Sequence, residues 1–251
     1  MSLVLGVSLK MYLGHAQTLE WSRAVAAVAD DAAVLRDGRA ELFVMPTFPS
    51  LPAVAEVLAA SPVSVGAQDL AAADSGAYTG EVSGSVLAEL GTAYVEVGHA
   101  ERRRLFGEDE AVVAAKAAAA LRHGLVPVLC LGEAAQGDPE TAAAECARQL
   151  RSALADAPAG RVVVAYEPQW AIGAERPAPT EHIVAVVAHL RAALAGPDRT
   201  GSAVVYGGSA GPGLLTRLGA GVDGLFLGRF AHDPQALATV LAEADDLTRP
   251  A

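Results

Sequence analysis

Eight short apolar runs recur along the chain with alanine-rich amphipathic stretches between many of them, and this repetition constrains the fold more than any other feature. The runs are LVLGVSL (3–9), ELFVMP (41–46), VSVGA (63–67), AYVEVG (93–98), LVPVLCLG (125–132), RVVVAYE (161–167), SAVVYGG (202–208) and DGLFLG (223–228). Branched aliphatic residues in near-continuous runs specify strands buried on both faces, the pattern of a parallel sheet covered by helices. Helical periodicity is read over 17–36, 110–123, 138–156 and 180–195, with Thr180 and Asp233 as N-caps. Eight strand–helix units in 251 residues point to an α/β fold, a closed (β/α)8 barrel. An open doubly wound sheet is the alternative, but the first strand runs into GVSLKMY with no glycine-rich turn.

A content of 52% hydrophobic and 19% charged residues can bury one large core, and no linker or charge block divides the chain, so residues 1–251 are expected to form a single domain. Cys130 and Cys146 give neither a disulfide framework nor a metal-ligand spacing and read as core thiols of a reducing compartment. The start MSLVLGVSLK has no basic leader and no cleavage site, and no apolar run approaches the ~20 residues that cross a bilayer, so a cytoplasmic protein without a membrane partner is expected. The formal charge of −11, with no basic cluster, argues against nucleic acid. It leaves small anions open, because these are held by local N–H groups and one or two cations.

In a barrel of this kind the chemistry sits where strands end and the following loops begin. Those positions carry Lys10, Gln68, His99, Glu133, Glu167, the Gly207-Gly208-Ser209 turn and Gly228. The stretch VAYEPQWAIGAERPAP (164–179) is the most pointed of them, because a buried strand ends in a carboxylate set against Pro168 and continues into a proline-broken loop. A lysine, a histidine and a glutamate thus converge on one rim, groups able to donate and accept protons. Backbone N–H groups at Gly207, Gly208, Ser209 and Gly228 could hold a small anion.

The blocks GVSLKMY, AQDLAAADSGAYTGEVS, VEVGHAERRRLFGE, CLGE, AYEPQWAIG, VVYGGS and DGLFLG, in this order and spacing, resemble the signature segments of the triosephosphate isomerase family over the whole chain. The resemblance implies that Glu167 is the mobile catalytic base, that His99 and Lys10 are its electrophilic partners, and that Glu101 orients Lys10. It makes 168–178 a lid, with Pro168, Trp170, Ile172, Gly173 and Ala174 as its moving or phosphate-closing part. It implies a small phosphosugar substrate, no metal or organic cofactor, a place in glycolysis and gluconeogenesis, and a homodimer formed through the loop 73–81.

The chain departs from the family pattern at the rim. Ser8 stands where the family has Asn, Ala100 where it has Ser, Glu175 where the lid has Gly, and Arg229 where the phosphate loop has a second Gly. Ser8 thereby loses amide donors, and Arg229 adds a guanidinium. The reading is an isomerase of glyceraldehyde 3-phosphate and dihydroxyacetone phosphate. Its alternative is a paralogue acting on a four-carbon ketose phosphate such as erythrulose phosphate. A barrel that has lost catalysis and acts as a binding protein is disfavoured because Lys10, His99 and Glu167 are all present.

Overall fold

The computed structural model describes residues 2–249. Eight strands, β1 (Leu3–Ser8), β2 (Ala40–Met45), β3 (Val63–Ala67), β4 (Tyr94–Val97), β5 (Val126–Leu131), β6 (Val163–Tyr166), β7 (Ala203–Tyr206) and β8 (Gly224–Leu227), close into a barrel in chain order. Each pairs in parallel with its sequence neighbours, and β1 closes the ring against β8 with Val4 opposite Gly224 and Val7 opposite Leu227. The (β/α)8 barrel expected from the spacing of the runs is the one observed. β2 and β3 are as long as their runs, whereas the other six strands are shorter, because the outer residues of those runs turn into the connecting loops.

Alternation along each strand sorts the side chains into two cores. Val4, Phe43, Tyr94, Val128, Val163, Val205 and Phe226 fill the barrel interior, while Leu5, Val7, Leu42, Val95, Leu129 and Val164 pack outward against the helices. The interior has no room for a side chain at Gly6, where a Cβ would overlap the Phe43 and Phe226 rings. The same parity fixes what reaches the upper end of the interior. Ser8 on β1, Glu96 on β4, Cys130 on β5 and Glu167 just past β6 share the inward phase of Val4, Tyr94, Val128 and Val163.

The helices follow the periodic segments with local differences. The stretch 17–36 is two helices, His15–Asp31 and Ala33–Arg36, because Ala32 adopts an extended backbone between them. Thr180 is the first residue of the helix Thr180–Leu194 and Pro179 is its N-cap, so the expected side-chain cap is absent there. Asp233 does cap the last helix, Pro234–Thr248, by accepting the Gln235 amide. Asp138 and Asp109 do the same for Pro139–Leu154 and Glu110–Arg122. The loop 73–81 stands out from the barrel, exposed from residue 74 onward, with Tyr78 55% exposed. Among the described residues no helix is long and apolar enough to cross a membrane.

Candidate active site

A cavity of about 990 Å³ opens at the carboxyl ends of the strands. Its floor is made by the ends of β1, β4, β6 and β8, and its wall by the segment 168–178 and the turns after β7 and β8. Ser8, Lys10, His99, Glu101 and Glu167 line it, as do Gly207, Ser209, Gly228 and Arg229. Trp170, Ile172, Gly173 and Ala174 contribute from the loop after β6. Gly208 and Pro168 do not reach the lining, although both were expected at the site.

Lys10 follows β1 in a left-handed conformation, φ 49°, which a side chain with a Cβ adopts only under constraint. The constraint is visible: the Gln68 amide donates 2.9 Å to the Lys10 carbonyl and 2.9 Å to the Met45 carbonyl, tying the turn to the end of β2. Ser209, at φ 46°, is the other non-glycine residue with positive φ among the described residues, and it too lines the cavity. Backbone strain is thus confined to two lining positions, as in sites where precise placement outweighs local stability.

His99 caps the short helix Ala100–Phe106. The Glu101 backbone N–H donates 3.1 Å to its Nδ1, so Nδ1 carries no proton and Nε2 bears the N–H that faces the cavity. Lys10 Nζ lies 2.9 Å from that Nε2 and 3.0 Å from Glu101 Oε1. With both nitrogens as donors the 2.9 Å contact is not a hydrogen bond between them, and an acceptor oxygen within reach of both would satisfy the two together. Burial opposes the Lys10 charge, but Glu96, Glu167 and Glu101 outweigh it and hold the ammonium pKa above its ordinary value. The Glu101 carboxyl is correspondingly held down: its partial burial works the other way, and the Lys10 ammonium overrides it.

Glu167 is 7% exposed, with Oε2 3.6 Å from His99 Nε2 and without a hydrogen-bond partner. Two glycines make its position possible. A Cβ on Gly207 would stand 2.6 Å from Glu167 Oε1, and a Cβ on Gly132 would overlap the Glu167 carbonyl. The backbone is then anchored to the neighbouring strand by Glu167 N–H to the Leu131 carbonyl, 2.8 Å.

The segment after Glu167 is fastened at three points. Trp170 Nε1 donates 2.8 Å to Glu133, which also receives Tyr166 Oη at 3.2 Å and faces His182 Nε2 at 3.0 Å. Ser209 Oγ lies 3.0 Å from the Ala171 carbonyl and 2.7 Å from that of Ala174. The Ala178 N–H donates 2.9 Å to Tyr206 Oη. Burial raises the Tyr206 pKa to about 12, so the phenol keeps its proton at neutral pH. Gly208 belongs to this latch, since a Cβ there would meet Tyr206 Oη at 2.6 Å and Ala171 Cβ at 3.4 Å. Arg229 opens the 3-10 turn Arg229–His232, and its Nη2 comes within 3.9 Å of where a Gly173 Cβ would be.

One polar residue beneath the cavity is outside the sequence expectation. Glu96, in the middle of β4, is 4% exposed and accepts the Ser8 hydroxyl at 2.9 Å. Only strand parity would have revealed it, by placing the single carboxylate of AYVEVG on the inward side.

The sequence model of triosephosphate isomerase matches residues 3–244. An L-erythrulose-1-phosphate isomerase of Pectobacterium atrosepticum is 52% identical, over 99% of this chain and 98% of that protein. A triosephosphate isomerase of Mycobacteroides abscessus is 47% identical over 72% of this chain and 74% of its own length. An L-erythrulose-1-phosphate isomerase of Rhizobium etli is 41% identical over 94% and 90%. From the barrel and the matched length, the chain belongs to the triosephosphate isomerase family of phosphosugar isomerases.

Proposed function

We propose that this chain moves the carbonyl of a four-carbon ketose phosphate by one carbon, with Glu167 as the base. The observation that carries the chemistry is the buried, unpartnered Oε2 of Glu167 beside two converging donors, Lys10 Nζ and His99 Nε2. Glu167 takes the proton from the hydroxyl-bearing carbon next to the carbonyl, and the electron pair of that C–H bond moves through the new C=C bond onto the carbonyl oxygen. Lys10 and His99 stabilise the resulting enediolate where its charge develops. A proton then shifts between the two enediolate oxygens through His99, and Glu167 returns its proton to the former carbonyl carbon. From erythrulose 1-phosphate this sequence gives erythrulose 4-phosphate; from a three-carbon ketose phosphate it gives an aldose.

The phosphate is assigned to the N–H groups around Gly173, Ser209 and Gly228, with the Arg229 guanidinium beside them. The segment 168–178 acts as the lid, and its closure keeps water from the enediolate and so suppresses loss of phosphate. Four carbons rather than three are favoured by the likeness at 52% over nearly the whole chain to an erythrulose phosphate isomerase, together with Ser8 and Arg229 on the rim. A homodimer through the loop 73–81 completes the reading.

The test is kcat/KM for erythrulose 1-phosphate, dihydroxyacetone phosphate and glyceraldehyde 3-phosphate. The four-carbon compound is expected to lead by roughly 10-fold or more, beyond the lower bound of what extra room alone provides. Higher efficiency on the triose phosphates would overturn the four-carbon assignment.

A further inference from the structure

Glu96 is the buried carboxylate beneath the cavity that the proposed reaction leaves without a task. Its Oε2 accepts the Ser8 hydroxyl at 2.9 Å; its Oε1 is 3.9 Å from Cys130 Sγ and 3.9 Å from His99 Nε2. Burial pushes the Cys130 thiol well up, so it remains a protonated donor. The Ser8 hydroxyl and the Cys130 thiol thus both present hydrogen to the Glu96 carboxylate, while His99 Nε2, at 3.9 Å, keeps its N–H toward the cavity. Glu96 itself does not line the cavity, whereas Ser8 does.

This arrangement decides what Ser8 offers upward. A serine hydroxyl has one proton and two lone pairs. With the proton directed down to Glu96, only the lone pairs are left toward the cavity. The two reacting oxygens are met by Lys10 and His99, and His99 also handles the one proton they share, so the acceptor position on Ser8 has no assigned partner on a three-carbon substrate. A four-carbon ketose phosphate adds one hydroxymethyl group, and with it one alcohol O–H in need of an acceptor.

Building on the four-carbon reading, we infer that Glu96 fixes Ser8 as a hydrogen-bond acceptor and that the Ser8–Glu96 pair selects the substrate's additional hydroxyl. Ser8 is the contact and Glu96 is a positioning residue that works through it. A site built around a substrate hydroxyl discriminates against the analogue that lacks it, because a polar group in the site is then left unpaired.

The test is a double-mutant cycle on the ratio of kcat/KM for erythrulose 1-phosphate to kcat/KM for dihydroxyacetone phosphate, with Ser8→Ala, Glu96→Leu and the double variant. Each single substitution is expected to lower the ratio by about tenfold, the scale of one neutral hydrogen bond, and the double variant to lower it no further. A structural defect would depress both substrates together and leave the ratio unchanged. Should Glu96→Leu fail to fold, Glu96→Gln keeps the shape and is expected to move the ratio in the same direction by a smaller factor. An unchanged ratio in the Glu96 variants, or effects that multiply in the double variant, overturns the inference. The parent's own preference judges the four-carbon assignment separately: a parent that favours triose phosphates but shows the coupled loss refutes only that assignment, and a parent inactive on erythrulose 1-phosphate refutes both.

Discussion

Glu96 shows at the scale of one residue how a buried charge links stability to chemistry. Burial raises its pKa; His99 and Lys10 offset part of the shift, and Glu167 adds to it. A carboxyl whose folded pKa lies above its unfolded value binds its proton more tightly in the native state, so stability falls as pH rises from the unfolded value through the folded one. Glu96→Gln removes that penalty. Thermal melts should place the variant above the parent at about pH 8, by about 2–4 °C for each kcal/mol of relief in a chain of this size, with the gap closing as pH falls towards the ordinary carboxyl range. A variant melting at or below the parent at the higher pH would mean that Glu96 is well satisfied as an anion. Lys10, His99 and Glu167 were legible in the sequence because each ends an apolar run, where the rule for barrel sites applies without knowledge of packing. Glu96 was not, because a lone carboxylate inside AYVEVG identifies its inward side only once Tyr94 is known to face the barrel interior.

The element that matters most is the segment 168–178. Its sequence reads as a loop because prolines at 168, 177 and 179 interrupt any periodicity, and its role is implied by family resemblance alone. The structure supplies the fastenings: Trp170 on Glu133, Ser209 on two carbonyls, and Tyr206 Oη under the Ala178 amide. None of these long-range pairs is readable from spacing, since the partners lie on strands and turns far along the chain. Tyr206→Phe deletes one fastening while leaving the ring in the core. If 168–178 is the lid proposed above, the variant is expected to weaken binding of a phosphorylated hydroxamate that mimics the enediolate by about tenfold, because the closed segment becomes a smaller fraction of the ensemble. Equal inhibitor affinity in calorimetry would remove the Ala178–Tyr206 bond from the closure. Gly208→Val should weaken the same inhibitor. The structure gives the reason as collision with Tyr206 Oη, where the sequence had suggested a direct role in holding the anion.

For the molecule as a whole, the alternation of apolar runs and helices predicted the barrel because closure by eight βα units is a property of the full pattern, insensitive to errors of a residue or two at each boundary. Caps and breaks such as Ala32 and Pro179 were less legible, since each depends on one backbone conformation. Assembly is the next property of the whole. The loop 73–81 projects with Tyr78 exposed, and Met11, beside Lys10, is 88% exposed in the isolated chain. Sedimentation at micromolar concentration is expected to give twice the chain mass, and Tyr78→Asp to shift the distribution to the monomer. A parent sedimenting as a monomer would refute the dimer.

Glu167 is proposed as the group that carries the proton, and the most direct measurement is kcat of Glu167→Asp on the parent's best phosphosugar substrate, with folding checked by circular dichroism. Shortening the side chain draws the carboxylate back by ~1 Å from the carbon it must reach, and a loss of roughly 100-fold or more is expected in a protein that remains folded. Turnover within a few-fold of the parent would contradict that role, because the base would then have to be another residue.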